Sequence, residues 1–149
     1  MKDSISLNRF LEAQDRNGMF EQALSELRAG RKTSHWIWYV FPQISGLGMS
    51  ERSVFYSIAS LGEARAYLAH PVLGKRLHEA AEALFKNGKT NAEDILGVLD
   101  AQKVRSSMTL FQKAAPDDKT FADVLDRFYG GQPDRKTLDI LAAQCGSNP

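Results

Sequence analysis

Apolar residues recur along this chain at spacings of three and four, a pattern that places them on one face of an α-helix. The first such stripe starts at Leu7 and is ended by the turn-forming pair Asn17 and Gly18. A second stripe covers residues 20–27 and ends at Gly30, a residue type that commonly closes helices. The N-terminal part of the chain is therefore predicted to form two helices.

Residues that cap helix N-termini recur after every ~10–20 positions in the rest of the chain. Ser50 predicts a helix to about Ala59, and Ser60-x-x-Glu63 and Thr90-x-x-Glu93 have the spacing of capping boxes. Further stripes predict helices over about 71–87, 100–115, 118–129 and 133–145. No hairpin pattern, long linker or repeat interrupts them, so the sequence predicts one all-α domain over residues 1–149, a bundle of about seven to nine helices with short loops.

The segment from Thr33 to Phe41 contains six consecutive apolar or aromatic residues, which suit either a buried strand or a buried helix. Thr33 or Ser34 could act as an N-cap, and the flanking segments are helical, so we favour a short buried helix. Pro42 disfavours helical geometry at the residue before it and should end this helix.

Composition narrows the class of protein. The 149 residues are 43% hydrophobic with a net charge of +1, as expected for a folded globular chain. The balanced charge and the absence of a basic stripe argue against nucleic-acid binding. No apolar run approaches the ~20 residues of a membrane span, and no signal-like segment follows Met1, so we expect a cytoplasmic protein without a membrane partner.

Metal and cofactor signatures are missing from the sequence. The single cysteine, Cys145, cannot form an internal disulfide, and the three histidines lack metal-ligand spacing. No phosphate-binding loop or dinucleotide fingerprint is present. We therefore predict no metal and no cofactor.

The first candidate site segment is the aromatic run from His35 to Gln43. Trp36 and Trp38 carry polar handles that need partners when they are buried. With His35 and Gln43 they could line a pocket for a planar or sugar-bearing ligand. The alternative is a central core helix in which His35 is simply hydrogen-bonded.

The second candidate is the glycine-containing loop from Gly46 to Ser53, which leads into a capped helix. Free N–H groups at such a junction can bind an anion. Ser53 belongs to a small polar face that Tyr56 borders. A simple loop with Ser50 as the N-cap explains the same residues.

The third candidate is Lys103, which periodicity places between Leu99 and Leu110 on an inward helix face together with Ser106. A buried lysine is costly unless it is paired or receives an anion. Ser107 lies one turn further along the helix. The alternative is a pair with Asp100 and an ammonium that reaches the surface.

These segments resemble a family of uncharacterised all-helical bacterial and fungal proteins that are often labelled calpastatin. The matching stretches are HWIWYVFPQ (35–43), GLGMSERSVFY (46–56), EARAYLAHPVLGKRL (63–77), DAQKVRSSMTLF (100–111) and FADVLDRFYGGQPDRKTLDIL (121–141). The resemblance implies a helical single domain and assigns no catalytic residue. The pattern of a folded core differs from the disordered repeats by which calpain inhibitors act.

The resulting hypothesis is a protein that binds an anionic, nucleotide- or sugar-like small molecule, either as a binding protein or as an enzyme. The candidate ligand-binding residues are His35, Trp36, Trp38, Gln43, Ser53, Tyr56, Lys103 and Ser107. His35 is the candidate general base near neutral pH. The alternative is a protein-interaction or homo-oligomerisation module that uses the apolar surface around Trp36, Trp38 and Phe41.

Overall fold

A computed structural model describes the backbone of residues 2–146 and the side chains of residues 7–144. Seven helices have 9 to 17 residues, and three have only four or five. They are α1 (Lys2–Asp15), α2 (Met19–Ala29), α3 (Ile37–Val40), α4 (Glu51–Phe55), α5 (Leu61–Ala69), α6 (Leu73–Lys86), α7 (Ala92–Leu96), α8 (Val98–Ala114), α9 (Lys119–Tyr129) and α10 (Arg135–Gly146). The predicted all-α fold is confirmed. The side chain of Cys145 lies outside the described part.

Helix α8 is the centre of the bundle. It packs against α5, α7, α9 and α10, and Val104, Met108 and Phe111 on it are fully buried. The buried side chains form one cluster that runs from Leu7 in α1 to Leu141 in α10. Burial of these helix faces supplies most of the stability of helices of this length.

Most predicted helix starts are correct, and two predicted caps are wrong, the one at Thr90 and the one at Thr33 or Ser34. The hydroxyl of Ser60 accepts a hydrogen bond from the Glu63 N–H, as the predicted capping box requires. The predicted box at Thr90 is wrong, because the Asn91 side chain caps α7 by accepting from the N–H groups at positions 93 and 94. Thr90 and Asn91 are both good capping residues, and their order along the chain does not decide between them.

The segment before α3 is organised by a buried carboxylate instead of a helix cap. One oxygen of Glu26 accepts from the backbone N–H groups of Thr33 (2.7 Å) and Ser34 (2.9 Å) and from the Trp36 indole (2.9 Å). The other accepts from the Ser34 hydroxyl (2.6 Å) and from Gln22 (2.8 Å). Thr33 and Ser34 are therefore not N-caps, and the predicted helix is confined to α3.

Ionisation of Glu26 is favoured by these contacts. Burial raises the pKa of the Glu26 carboxyl, but the hydrogen bonds from Ser34, Gln22, Thr33 and Trp36 together bring this pKa far below its ordinary value. The carboxylate thus holds Thr33, Ser34 and Trp36 in an irregular conformation.

Helix α4 is shorter than the predicted helix to Ala59. The chain becomes extended after Tyr56, and Ile58 forms an isolated parallel bridge with Ile44. The Ile58 N–H donates to the Gln43 carbonyl and the Ser45 N–H donates to the Ile58 carbonyl, both at 2.8 Å. The bridge closes residues 45–57 into an excursion that carries α4, on which no residue is buried.

Two contacts of α6 fix its position in the bundle. A Cβ on Gly74 would lie 2.1 Å from the Leu68 carbonyl oxygen, so only glycine allows this approach of α5. His78 places its two ring nitrogens against acceptors, the Gly74 carbonyl and the Asp118 carboxylate. Burial lowers the pKa of His78, but the hydrogen bond and charge of Asp118 raise it more, so the net shift is upward.

Candidate functional site

A surface depression of about 480 Å³ lies between the end of α1, the segment before α3, and α4. We call it the Arg16–Arg52 depression. Its walls are Ala13, Arg16, Asn17, Met19, Thr33, Ser34, His35, Tyr39, Arg52 and Tyr56. It contains two of the predicted candidate residues, His35 and Tyr56.

The charge of this depression is one-sided. Arg16 and Arg52 are exposed, and neither guanidinium forms a hydrogen bond or ion pair with the described residues. None of the residues that line the depression carries a carboxylate. Guanidinium groups in such a place are available for an anion.

Two tyrosines form the aromatic wall. The rings of Tyr39 and Tyr56 lie 5.4 Å apart, tilted by 59°. Burial and the neighbouring Tyr56 raise the pKa of the Tyr39 hydroxyl, and the charges of Arg52 and Arg16 partly oppose this. The Tyr39 phenol therefore stays protonated at neutral pH and can donate a hydrogen bond.

Trp38 lies on the other side of Arg52. The Arg52 guanidinium is 5.2 Å from the centroid of the indole ring, and the Lys103 ammonium is 5.3 Å from it. The indole Nε1 is buried and has no hydrogen-bond partner among the described residues. The structure thus brings the predicted pair Trp38 and Lys103 together, with Arg52 as a third member.

Lys103 itself is not a free cation. Its side chain is 27% exposed, and its ammonium lies 3.4 Å from an Asp100 oxygen, while the other Asp100 oxygen pairs with Lys32 at 2.8 Å. The alternative interpretation, a pair with Asp100, is therefore present. Leu99 is 75% exposed, which corrects its predicted inward position, because the first turn of α8 extends past the core.

Four other candidate residues have structural partners or buried positions. Trp36 is fully buried and bonded to Glu26, and Ser107 is fully buried with a hydroxyl that has no partner among the described residues. Ser53 donates its N–H to Ser50 at 3.1 Å in the cap of α4. Gln43 is half-buried, and its carbonyl belongs to the bridge with Ile58.

The apolar surface invoked for an interaction module is elsewhere. Trp36 and Phe41 are fully buried, so they present no surface. The exposed apolar residues near the depression are Met49, Val54 and Phe55.

Sequence patterns missed Arg16, Tyr39 and Arg52. Tyr39 stands in the aromatic run and Arg52 in the glycine loop segment, so both fell within the candidate segments. No local signal connects Arg16 with them, because they meet only through the turn that ends α1. Two left-handed residues, Asn17 and Gly18, make that turn.

Comparison with known proteins assigns the chain to a family. A family model described as "Protein of unknown function (DUF1810)" matches residues 4–141. The chain belongs to this family. The crystal structure of the conserved hypothetical protein Rv1873 from Mycobacterium tuberculosis is similar to it, with 46% identity and a TM-score of 0.88 over 91% of this chain and 96% of that one. A comparison with curated proteins gives no match, and neither match confirms the calpastatin label.

Two kinds of site are missing from the described part of this DUF1810 protein. Side chains of His, Cys, Asp and Glu form no group of three that could hold a metal ion there. None of the helices there has the length and apolarity to cross a membrane. The Arg16–Arg52 depression remains a candidate because two arginines and no carboxylate line it.

Proposed function

We propose that this protein binds an anionic small molecule in the Arg16–Arg52 depression. The observation that supports this proposal is a pair of guanidiniums that form no ion pair with the described residues, at a surface that no carboxylate lines. Elsewhere on the described surface, arginines such as Arg76 and Arg135 have carboxylate partners. Two guanidiniums at one depression without a carboxylate attract an anion more strongly than a single exposed arginine does.

The chemistry of the walls favours a phosphate- or carboxylate-bearing ligand. Guanidinium groups hold such anions through two parallel hydrogen bonds. The Tyr39 and Tyr56 phenols can add donors, and their rings provide area for a planar group. A nucleotide-like ligand, as the sequence suggested, is consistent with this combination.

A binding role is favoured over a catalytic one by the surroundings of His35. Its ring forms no hydrogen bond with the described residues, and only its backbone carbonyl is engaged, by the Tyr39 hydroxyl at 3.4 Å. A general base is ordinarily oriented by a second group. Our proposal therefore assigns His35 to ligand contact.

Titration calorimetry with inorganic phosphate, pyrophosphate and adenosine monophosphate tests the proposal. We expect one of these anions to bind, and Arg16→Gln and Arg52→Gln each to weaken its binding about tenfold, since a charge-assisted hydrogen bond contributes ~1.5–3 kcal/mol. The matched control is Arg135→Gln, which removes one charge outside the depression. The absence of binding by all three anions, or equal weakening by the control, would refute the proposal.

A further inference from the structure

An exposed apolar surface adjoins the Arg16–Arg52 depression. Met49 is 93% exposed, Val54 61% and Phe55 57%. Together with Glu51, Arg52 and Tyr56 they line a shallow second depression of about 620 Å³. We call this the α4 apolar patch. Large apolar side chains grouped in this way on a surface mark a binding site more often than single ones do.

The two depressions are continuous. Arg52 and Tyr56 line both of them, so a ligand that touches the guanidinium of Arg52 in the first is already at the edge of the second. The two depressions differ in chemistry, because the first is cationic and the second is apolar. The first offers Arg16, Arg52 and His35, while the second offers the side chains of Met49, Val54 and Phe55.

We infer that the ligand is a soluble anionic amphiphile, whose charged head contacts Arg16 and Arg52 and whose aliphatic part covers the α4 apolar patch. This inference rests on the proposed function and specifies its ligand class. Glu51 is the one carboxylate along the two depressions, and it lines only the second. Its charge repels an anionic head from the patch and so fixes the direction in which the ligand lies.

A second copy of the chain fits this surface less well. In a two-fold symmetric dimer the same patch faces itself, so residues at its centre meet their own copies. A second copy presents the same Arg16, Arg52 and His35 with Glu51 as the one carboxylate, so its charge does not complement the two guanidiniums. An anionic amphiphile satisfies the guanidiniums and covers the apolar side chains at once.

Alkyl phosphates of increasing length, used below their micellar concentrations, test the inference by calorimetry. Burial of one CH₂ group strengthens binding by up to about fourfold. The patch is open, so each CH₂ group is only partly buried. We therefore expect octyl phosphate to bind at least ~30-fold more tightly than methyl phosphate, far less than full burial of its additional CH₂ groups would give. Methyl phosphate reports on the head-group contact alone.

Variants separate the two halves of the surface. We expect Met49→Ser and Val54→Ser to weaken octyl phosphate binding severalfold and to leave methyl phosphate binding unchanged. Arg52→Gln should weaken both. Leu99→Ser is the matched control, since Leu99 is an equally exposed apolar residue at the start of α8, outside both depressions.

The outcomes are distinguishable. Equal affinities for the methyl and octyl esters overturn the amphiphile and leave the proposed anion binding intact, whereas the failure of both esters and of inorganic phosphate to bind overturns both. Equal weakening by Leu99→Ser identifies non-specific adsorption and overturns the inference. So does binding to phosphatidic acid vesicles without binding to octyl phosphate, or a dimer in sedimentation that Met49→Ser dissociates.

Discussion

Replacement of Glu26 is expected to be among the most destabilising polar substitutions in this protein. The Glu26→Ala change removes the acceptor of five hydrogen bonds at once. Trp36 is fully buried, so its indole N–H cannot turn to water and would remain unsatisfied. The N–H groups of Thr33 and Ser34 lie nearer the surface and can be hydrated.

The magnitude follows from those two classes of donor. A buried donor without a partner costs ~1–3 kcal/mol, and loss of hydrogen bonds to a charged group adds to this without full additivity. We expect Glu26→Ala to lower the free energy of unfolding by about 3–5 kcal/mol, a large part of the ~5–15 kcal/mol typical of a domain. Glu26→Gln keeps an oxygen for the three donors that include Trp36 and should cost only about 1–2 kcal/mol.

Urea unfolding followed by circular dichroism measures both variants, and Trp36→Phe completes a double-mutant cycle with Glu26→Ala. A cost below about 1 kcal/mol for Glu26→Ala would refute the role assigned to this carboxylate. So would a coupling energy of zero between positions 26 and 36.

The low pKa of Glu26 adds a pH dependence with a definite sign. The contribution of Glu26 to the free energy of unfolding is present above the pKa it has in the unfolded chain, and it is lost as the pH falls toward its lower folded pKa. The difference between wild type and Glu26→Gln should therefore shrink between pH 5 and pH 2. A difference that grows in this range would contradict the ionised, hydrogen-bonded state.

Three further predictions concern other parts of the molecule. Because the pKa of His78 is raised, the free energy of unfolding should decline by up to ~1 kcal/mol as the pH rises from 6 to 9, and His78→Gln should abolish this slope in urea titrations. Gly74→Ala should destabilise by at least ~2 kcal/mol although alanine favours helices, whereas Gly62→Ala, whose Cβ would have only a 3.6 Å neighbour, should be neutral or stabilising by thermal unfolding. A bound anion should draw the Arg52 guanidinium away from the Trp38 ring, because a charge-assisted hydrogen bond to the anion contributes ~1.5–3 kcal/mol and an exposed cation–π contact only ~0.5–1 kcal/mol. Phosphate titration should therefore change the tryptophan fluorescence, and Trp38→Phe should abolish this change.

The long helices were predictable because each has its own evidence within a short window. Apolar stripes and local capping or turn residues predicted α2, α5, α6 and α9 to within a few residues, whereas α1 begins five residues before the predicted stripe. The stripes consist of residues three or four positions apart, so they can be recognised without knowledge of the rest of the fold.

The irregular segments were not predictable for the opposite reason. The position of residues 33–36 depends on Glu26, a charged residue on the polar-looking side of a separate helix. The end of α4 depends on pairing of Ile58 with Ile44, fourteen positions away. Neither contact leaves a periodic signal.

The candidate site also combines residues that a local sequence segment indicates with residues that only the fold brings together. The aromatic run contains Trp38, and the structure places Lys103 beside it, 5.3 Å from the centroid of the indole ring. The sequence left two interpretations of Lys103 open, an anion ligand or a pair with Asp100 on the same helix, and the structure contains the pair with Asp100. The unpaired cations, Arg16 and Arg52, are 36 positions apart and meet only in three dimensions.

The Ile44–Ile58 bridge closes the intervening residues 45–57 into a loop. Its two ends are held together by backbone hydrogen bonds, and its helix contributes no side chain to the interior. Substitutions at exposed positions of that helix should therefore leave the packing of the bundle unchanged. If the neighbouring depression binds a ligand as proposed, this short stretch is where its selectivity can change at the least cost to the fold.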